Sequence, residues 1–255
     1  MPMTLAEIQT NLKRLRLSGM CETLEARSLQ SAQAKMPFIE TFSTLIQDEI
    51  DRRDSRFTES RFRKSGLDER KLMSQFEWGF NPKLPRNAAL ELLTLKFVTL
   101  GENAMLIGSP GTGKSHIAKA IALAAIQSRY SVIYRDAQDL VLTFADVSGH
   151  ERRKMLKIYS EADLLVIDDL FLRKIPPCAI EELQEVIFAR YRKGKSTMVT
   201  SNRVIEDWGK LLGDAAAAAA ILDRLLHNCK MLDFEGPSWR LKQASERVAK
   251  KGRSG

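Results

Sequence analysis

The sequence predicts an α/β protein: a mostly parallel five-stranded sheet layered with helices, preceded by a small all-helical region. Three observations carry that expectation. Helical periodicity fills the first part of the chain, short apolar runs alternate with longer helical stretches from residue 85 onward, and one glycine-rich loop, Gly108–Ser115, joins an apolar run to a helix.

In the first part, Thr4-Leu5-Ala6-Glu7 is a capping-box pattern, with Glu7 three residues after Thr4. Leu5, Ile8, Leu12 and Leu15 follow at helical spacing. Pro37 suits the start of a second helix, whose apolar stripe is Phe38, Phe42, Leu45, Ile46 and Ile50. Between Asp51 and Lys64, six cations (Arg52, Arg53, Arg56, Arg61, Arg63 and Lys64) stand against Asp51, Asp54 and Glu59. Such a stretch reads equally as a solvated helix face or a phosphate-contacting surface. Trp78-Gly79-Phe80-Asn81-Pro82 breaks the periodicity and reads as a joint. Residues 1–77 are therefore expected as a helical domain, 78–241 as the core and 242–255 as a basic flexible tail.

Ala104–Ile107, Val132–Tyr134, Leu164–Ile167, Thr197–Thr200 and Met231–Phe234 are short apolar runs without alternation, as strands buried on both faces require. Six consecutive alanines, Ala215–Ala220, predict the start of the helix that carries Leu222, Leu225 and Leu226.

The composition is that of an ordinary folded chain: 255 residues, 44 % hydrophobic, 28 % charged. The net charge of +8 permits nucleic-acid binding without requiring it. No apolar run is long enough for a membrane helix, and no secretory signal opens the chain, so a cytoplasmic protein without a membrane partner is expected. Cys21, Cys178 and Cys229 are scattered and odd in number, which argues against a disulfide framework.

Four motifs carry chemistry. Gly108-Ser109-Pro110-Gly111-Thr112-Gly113-Lys114-Ser115 matches G-x-x-x-x-G-K-[ST] and stands between an apolar run and the helix His116–Ile126. Its glycines let backbone N–H groups wrap phosphates, Lys114 is placed to reach the β- and γ-phosphates, and the Ser115 hydroxyl to ligate Mg²⁺. Leu164–Ile167 leads into Asp168 and Asp169, which read either as plain solvated carboxylates or a helix cap, or as the end of a Walker B strand in which Asp168 holds Mg²⁺, directly or through water, and Asp169 orients or deprotonates the attacking water. In Thr200-Ser201-Asn202-Arg203, Asn202 either bonds the γ-phosphate or lytic water or simply makes a turn. Arg224 is either an arginine finger or a surface arginine paired with Asp223. Arg240 is a weaker nucleotide-sensing candidate. No N-K-x-D base-reading sequence is present, which favours ATP over GTP.

With these motifs in order, the chain resembles the AAA+ P-loop ATPases, and within them the IstB-like transposition helper ATPases, relatives of the DnaC helicase loaders and the initiator DnaA. The resemblance covers nearly the whole chain. It rests on Phe80-Asn81-Pro82, the stretch from Gly101 to His116, Leu165–Asp169, Thr200–Arg203, Leu222–His227 and Ser238-Trp239-Arg240. It implies an AAA+ core that binds ATP and Mg²⁺ and hydrolyses ATP, with Asn202 as sensor-1 and Arg224 as an arginine finger. It implies assembly on duplex DNA as a head-to-tail homo-oligomer, ring or filament, and an N-terminal region that contacts a transposase or DNA. Asp169 stands where most AAA+ members place Glu but is usual in the IstB-like group. The chain ends soon after Arg240, so no separate sensor-2 helix is expected. The competing readings are a DnaC-like helicase loader, a P-loop small-molecule kinase, and a DNA-binding protein with a decayed ATP site.

Overall fold

The computed structural model describes residues 2–145, 149–171, 177–212 and 215–251. The chain forms two compact units, Met1–Arg61 and Phe62–Gly255.

The first unit is helical: α1 (Leu5–Arg14), α2 (Ser18–Ala34) and most of α3 (Phe38–Ser65). The capping box forms as its sequence requires. Thr4 Oγ1 accepts from the Glu7 N–H at 3.3 Å, and the Glu7 carboxylate accepts from the Thr4 N–H at 2.7 Å. Buried Glu49 on α3 accepts from the Gly19 N–H at 2.6 Å, satisfying a donor at the start of α2. Part of the basic segment is neutralised inside this unit: Arg52 pairs with Glu22, and Arg53 with Glu49 at 2.6 Å.

The second unit holds an all-parallel sheet of β1 (Asn103–Ile107), β2 (Val132–Asp136), β3 (Leu164–Asp168), β4 (Ser196–Ser201) and β5 (Cys229–Asp233), in the order β2-β3-β4-β1-β5. All five expected strands form. Alternate residues face opposite sides. Leu106, Tyr134, Val166 and Met198 pack under α4 (Arg86–Leu93), α5 (Lys96–Leu100) and α6 (Lys114–Gln127). Met105, Ile133, Ile167 and Val199 pack on the other side, under α7 (Ala137–Ala145), α8 (Gly149–Glu161), α9 (Pro177–Arg192), α10 (Trp208–Leu212) and α11 (Ala215–Leu226). The alanine run opens α11 as expected.

Two expected boundaries differ. The division between units falls at 61/62 and not at 77/78, because Phe62, Leu67, Met73, Phe76 and Trp78 all pack into the core beneath α6. The residues expected as a joint are held in place: buried Asn81 donates from Nδ2 to the Glu235 carbonyl at 2.6 Å. The stretch expected as a flexible tail continues as α12 (Trp239–Lys251), and residues 252–255 lie outside the described residues. Among the described residues no helix is long and apolar enough to cross a membrane.

One polar latch fixes the N-terminal ends of three strands. The Asp163 carboxylate, just before β3, accepts from the Ser131 N–H at 2.9 Å and hydroxyl at 2.6 Å, just before β2, and from Lys195 Nζ at 2.7 Å, just before β4. Burial opposes the charge on Asp163, but Lys195 and Ser131 outweigh it and bring its pKa down to about 2. A carboxyl depressed in the folded state contributes stability above its unfolded pKa of about 3.9 and loses it as pH falls toward the folded value. Asp163→Asn is therefore expected to lower Tm at pH 7 by roughly 2–4 °C, the equivalent of about 1 kcal/mol. Thermal melts from pH 7 to pH 2 check this: the gap between variant and wild type should close between about pH 4 and pH 2.

Candidate active site

The glycine-rich loop crosses from the end of β1 to the start of α6, and a Cβ at any of its three glycines would collide with a neighbour. Gly108 has φ 136°, and a Cβ there would strike the Phe234 carbonyl oxygen. Gly113 has φ 101°, and a Cβ there would strike the Phe76 ring. Both are left-handed positions that glycine adopts without strain. The loop closes around Lys114, whose Nζ donates to the Gly108 carbonyl at 2.7 Å and the Ser109 carbonyl at 2.8 Å. Burial pushes the Lys114 ammonium below its ordinary pKa, while the Asp169 and Asp168 carboxylates push it back up. The cation is thus held at the mouth of α6, where helix N–H groups already favour an anion.

The two carboxylates end β3 and differ in setting. Asp168 is 7 % exposed, and its carboxylate accepts from the Tyr134 hydroxyl on β2 and the Thr200 hydroxyl on β4. Asp169 turns out of the strand with φ 54°, a strained backbone for a residue other than glycine. Its N–H donates to Thr200 Oγ1 at 2.9 Å. Burial, then the charges of Asp168 and Asp136, push the Asp169 carboxyl above its ordinary pKa. Burial and the Asp168 charge push the Tyr134 hydroxyl up, so it stays a donor.

These elements open onto one cavity of about 790 Å³. It is lined by the loop from Pro110 to Ser115, by Asp169 and Asn202, and by Arg240 on α12. Asn202 Oδ1 is buried and, among the described residues, accepts no hydrogen bond, an unmet acceptor that calls for a partner. The far wall is aromatic: Phe80 meets Trp239 edge-on at 5.0 Å, and Phe76 meets His116 at 5.4 Å. The Trp239 N–H donates to the Gly111 carbonyl at 2.9 Å and ties α12 to the loop. Ser115 and Asp168 offer a hydroxyl and a carboxylate, hard oxygen donors that fit Mg²⁺ bound together with phosphate oxygens and water.

The sequence-derived residues divide in space. Pro110–Ser115, Asp169, Asn202 and Arg240 share the cavity, with Gly108 and Ser109 holding Lys114 and Asp168 tied to strands on either side. Arg224 is elsewhere. Its backbone carbonyl accepts from the side chain of Asn103, the residue that opens β1, at the opposite end of the sheet from the loop. Its guanidinium is stacked 4.1 Å from the Phe188 ring and lines a second cavity. Sequence reasoning gave no role to Tyr134, Thr200 or the aromatic wall. The Phe76-x-Trp78-x-Phe80 spacing was the available signal for that wall, and α12 brings Arg240 to the cavity where no such helix was expected.

Comparison with known proteins agrees with this architecture. The family profile described as IstB-like ATP binding protein matches residues 10–247. The chain is 32 % identical over 238 residues to the insertion sequence IS21 ATP-binding protein of Pseudomonas aeruginosa, covering 93 % of this chain and 89 % of that protein. It is also 32 % identical to the insertion sequence IS5376 ATP-binding protein of Geobacillus stearothermophilus, covering 90 % of this chain and 92 % of the relative. In fold it is similar to AMPPCP-bound DnaA from Aquifex aeolicus, with a TM-score of 0.55 at 24 % identity, over 72 % of this chain and 56 % of that one.

If Lys114 binds phosphate and Asp169 acts on the attacking water, the two roles separate experimentally. Lys114→Ala should weaken ATP binding by at least about tenfold, since a charge-assisted hydrogen bond contributes about 1.5–3 kcal/mol. Asp169→Asn should keep ATP affinity near wild type and cut turnover by about 10²–10⁴-fold, the range of general-base catalysis. Titration with a fluorescent ATP analogue and a phosphate-release assay check both.

Proposed function

Because the chain belongs to the IstB-like ATP-binding protein family, we propose that it is an ATP hydrolase that assembles on duplex DNA in the cytoplasm and helps a transposase engage its target. One observation carries the reading most directly. A buried cation, a carboxyl with raised pKa and an amide oxygen with no partner among the described residues, on Lys114, Asp169 and Asn202, line a single cavity at the mouth of a helix. A triphosphate with its attacking water satisfies all three, because it supplies the anion for Lys114, the proton for Asp169 and the donor for Asn202.

In this reading Lys114 exchanges its two loop carbonyls for phosphate oxygens, and the loop N–H groups hold the rest of the triphosphate. Ser115 and Asp168 would hold Mg²⁺, which when bound would neutralise phosphate charge. Asp169 takes a proton from the attacking water while Asn202 Oδ1 accepts its other hydrogen and fixes its direction. Arg240 balances charge from α12, and the aromatic wall gives the adenine ring an apolar surface. Arg224, at the other end of the sheet, serves the site of a neighbouring copy. That makes assembly head to tail, a ring or a filament. The names of the relatives, proteins of insertion sequences, favour a transposase as the partner over a helicase.

The net charge of +8 is compatible with DNA binding, which in this reading acts mainly through phosphates. ATP hydrolysis should rise on addition of duplex DNA. Affinity for duplex should fall at least about tenfold between 50 and 200 mM salt, with little dependence on sequence. Phosphate release with and without DNA, and a salt titration of binding, check this. Stimulation by a small phosphoryl acceptor and not by DNA would point to a kinase instead.

A further inference from the structure

Asp168 is flanked by two hydroxyls that the reaction scheme leaves without a role. β2 pairs with β3 so that Tyr134 lies beside Val166, two residues before Asp168. β3 pairs with β4 so that Ile167 lies beside Val199, and the next step along brings Asp168 beside Thr200. The pleat sends Tyr134, Asp168 and Thr200 to the same face, the one covered by α6 and its Lys114. From the two neighbouring strands, the Tyr134 hydroxyl reaches one carboxylate oxygen of Asp168 and the Thr200 hydroxyl reaches the other.

Thr200 does a second thing. Its Oγ1 also accepts from the Asp169 N–H at 2.9 Å, which a hydroxyl can do while donating its own hydrogen. Its carbonyl accepts from the Leu170 N–H at 2.9 Å, and the next residue, Ser201, donates from Oγ to the Leu170 carbonyl at 2.7 Å. The strained turn at Asp169 is thereby pinned to the strand end that leads into Asn202.

We propose that Tyr134 and Thr200 are positioning residues, their hydroxyls clamping the Asp168 carboxylate from both sides so that it meets Mg²⁺ in one fixed orientation. The inference rests on the reading of Asp168 as a metal ligand and Asp169 as the base. A carboxylate rotates broadly about its last torsion. Two donors, one to each oxygen, stop that rotation and leave the remaining lone pairs for the metal and its waters. Mg²⁺ demands near-ideal octahedral geometry, so a swinging carboxylate binds it poorly. Thr200 joins the two functions, since one hydroxyl holds the metal ligand and the backbone of the base. Tyr134 touches only the former.

The test measures the affinity of a fluorescent ATP analogue against Mg²⁺ concentration, together with kcat at saturating Mg²⁺ and thermal melts, in the full chain. Outer-shell partners of metal ligands typically contribute 10–100-fold in metal affinity. Tyr134→Phe should move the Mg²⁺ midpoint for nucleotide binding up by about tenfold, with Tm close to wild type. Thr200→Val should move the midpoint similarly and also cut kcat at saturating Mg²⁺ by about a hundredfold, because the Asp169 turn loses its anchor. Thr200→Ser, which keeps the hydroxyl, should restore both. An unshifted Mg²⁺ midpoint in Tyr134→Phe, or no rescue by Thr200→Ser, overturns the clamp. Asp168→Asn is the separate control: if it leaves the Mg²⁺ dependence of binding unchanged, the metal-ligand reading itself fails.

Discussion

The parallel alignment of five strands is the constraint on which the rest depends. Parallel strands need crossover helices on both faces, so every strand ends at the same rim, and the polar residues after the apolar runs are gathered there. The loop after β1, the acids ending β3 and Asn202 after β4 become neighbours although they lie far apart in sequence. The Asp163 latch aligns β2, β3 and β4 at the opposite rim. A slip of one residue would turn Asp168 away from α6 and its lysine. The same constraint places Arg224 at the rim where β1 begins. Five residues of strand, about 3.3 Å each, separate that rim from the P-loop by about 16 Å. That distance is the geometric basis for proposing that Arg224 serves the rim of a neighbouring copy and not its own.

The site keeps groups in states that packing alone would not choose. Lys114 is buried, Asp169 has a strained backbone and a raised pKa, and Asn202 has an unmet acceptor. Each carries an energetic cost, and such costs cluster where ligands bind. The fully buried apolar strands on either side hold the geometry: Leu164 to Ile167, with Met198 and Val199, have no exposed surface. A rigid sheet below and strained polar turns above make a pre-organised pocket.

How much was legible follows from the range of each interaction. The P-loop and the strands were legible because local chemistry decides them: glycines for left-handed turns, unbroken apolar runs for strands buried on both faces. The alanine run gave the start of α11 for the same reason. Contacts between distant parts of the chain were not legible. Phe76 fits against Gly113 and Asn81 bonds to the Glu235 carbonyl, so a stretch that reads as a joint is a wall of the cavity. The basic composition after Lys242 suggested a loose tail, but Trp239, bonded to Gly111 and packed on Phe80, seats a helix there. Tyr134 looked like any apolar strand residue, and only the register of β2 on β3 reveals its hydroxyl at Asp168. Arg224 was legible as a candidate, while its place at the far rim came from the fold.

We propose that one active site is shared between two copies of the chain, and the decisive experiment mixes two inactive variants. Arg224→Ala keeps an intact ATP cavity but offers no finger, and Lys114→Ala loses ATP but keeps Arg224. Measured for ATP hydrolysis on duplex DNA, each alone should be nearly inactive. Mixtures should regain activity, because interfaces form that pair the first variant's cavity with the second's arginine. A mixture that stays as inactive as its components while mixed oligomers form, or an Arg224→Ala protein that hydrolyses ATP normally by itself, would contradict the shared site.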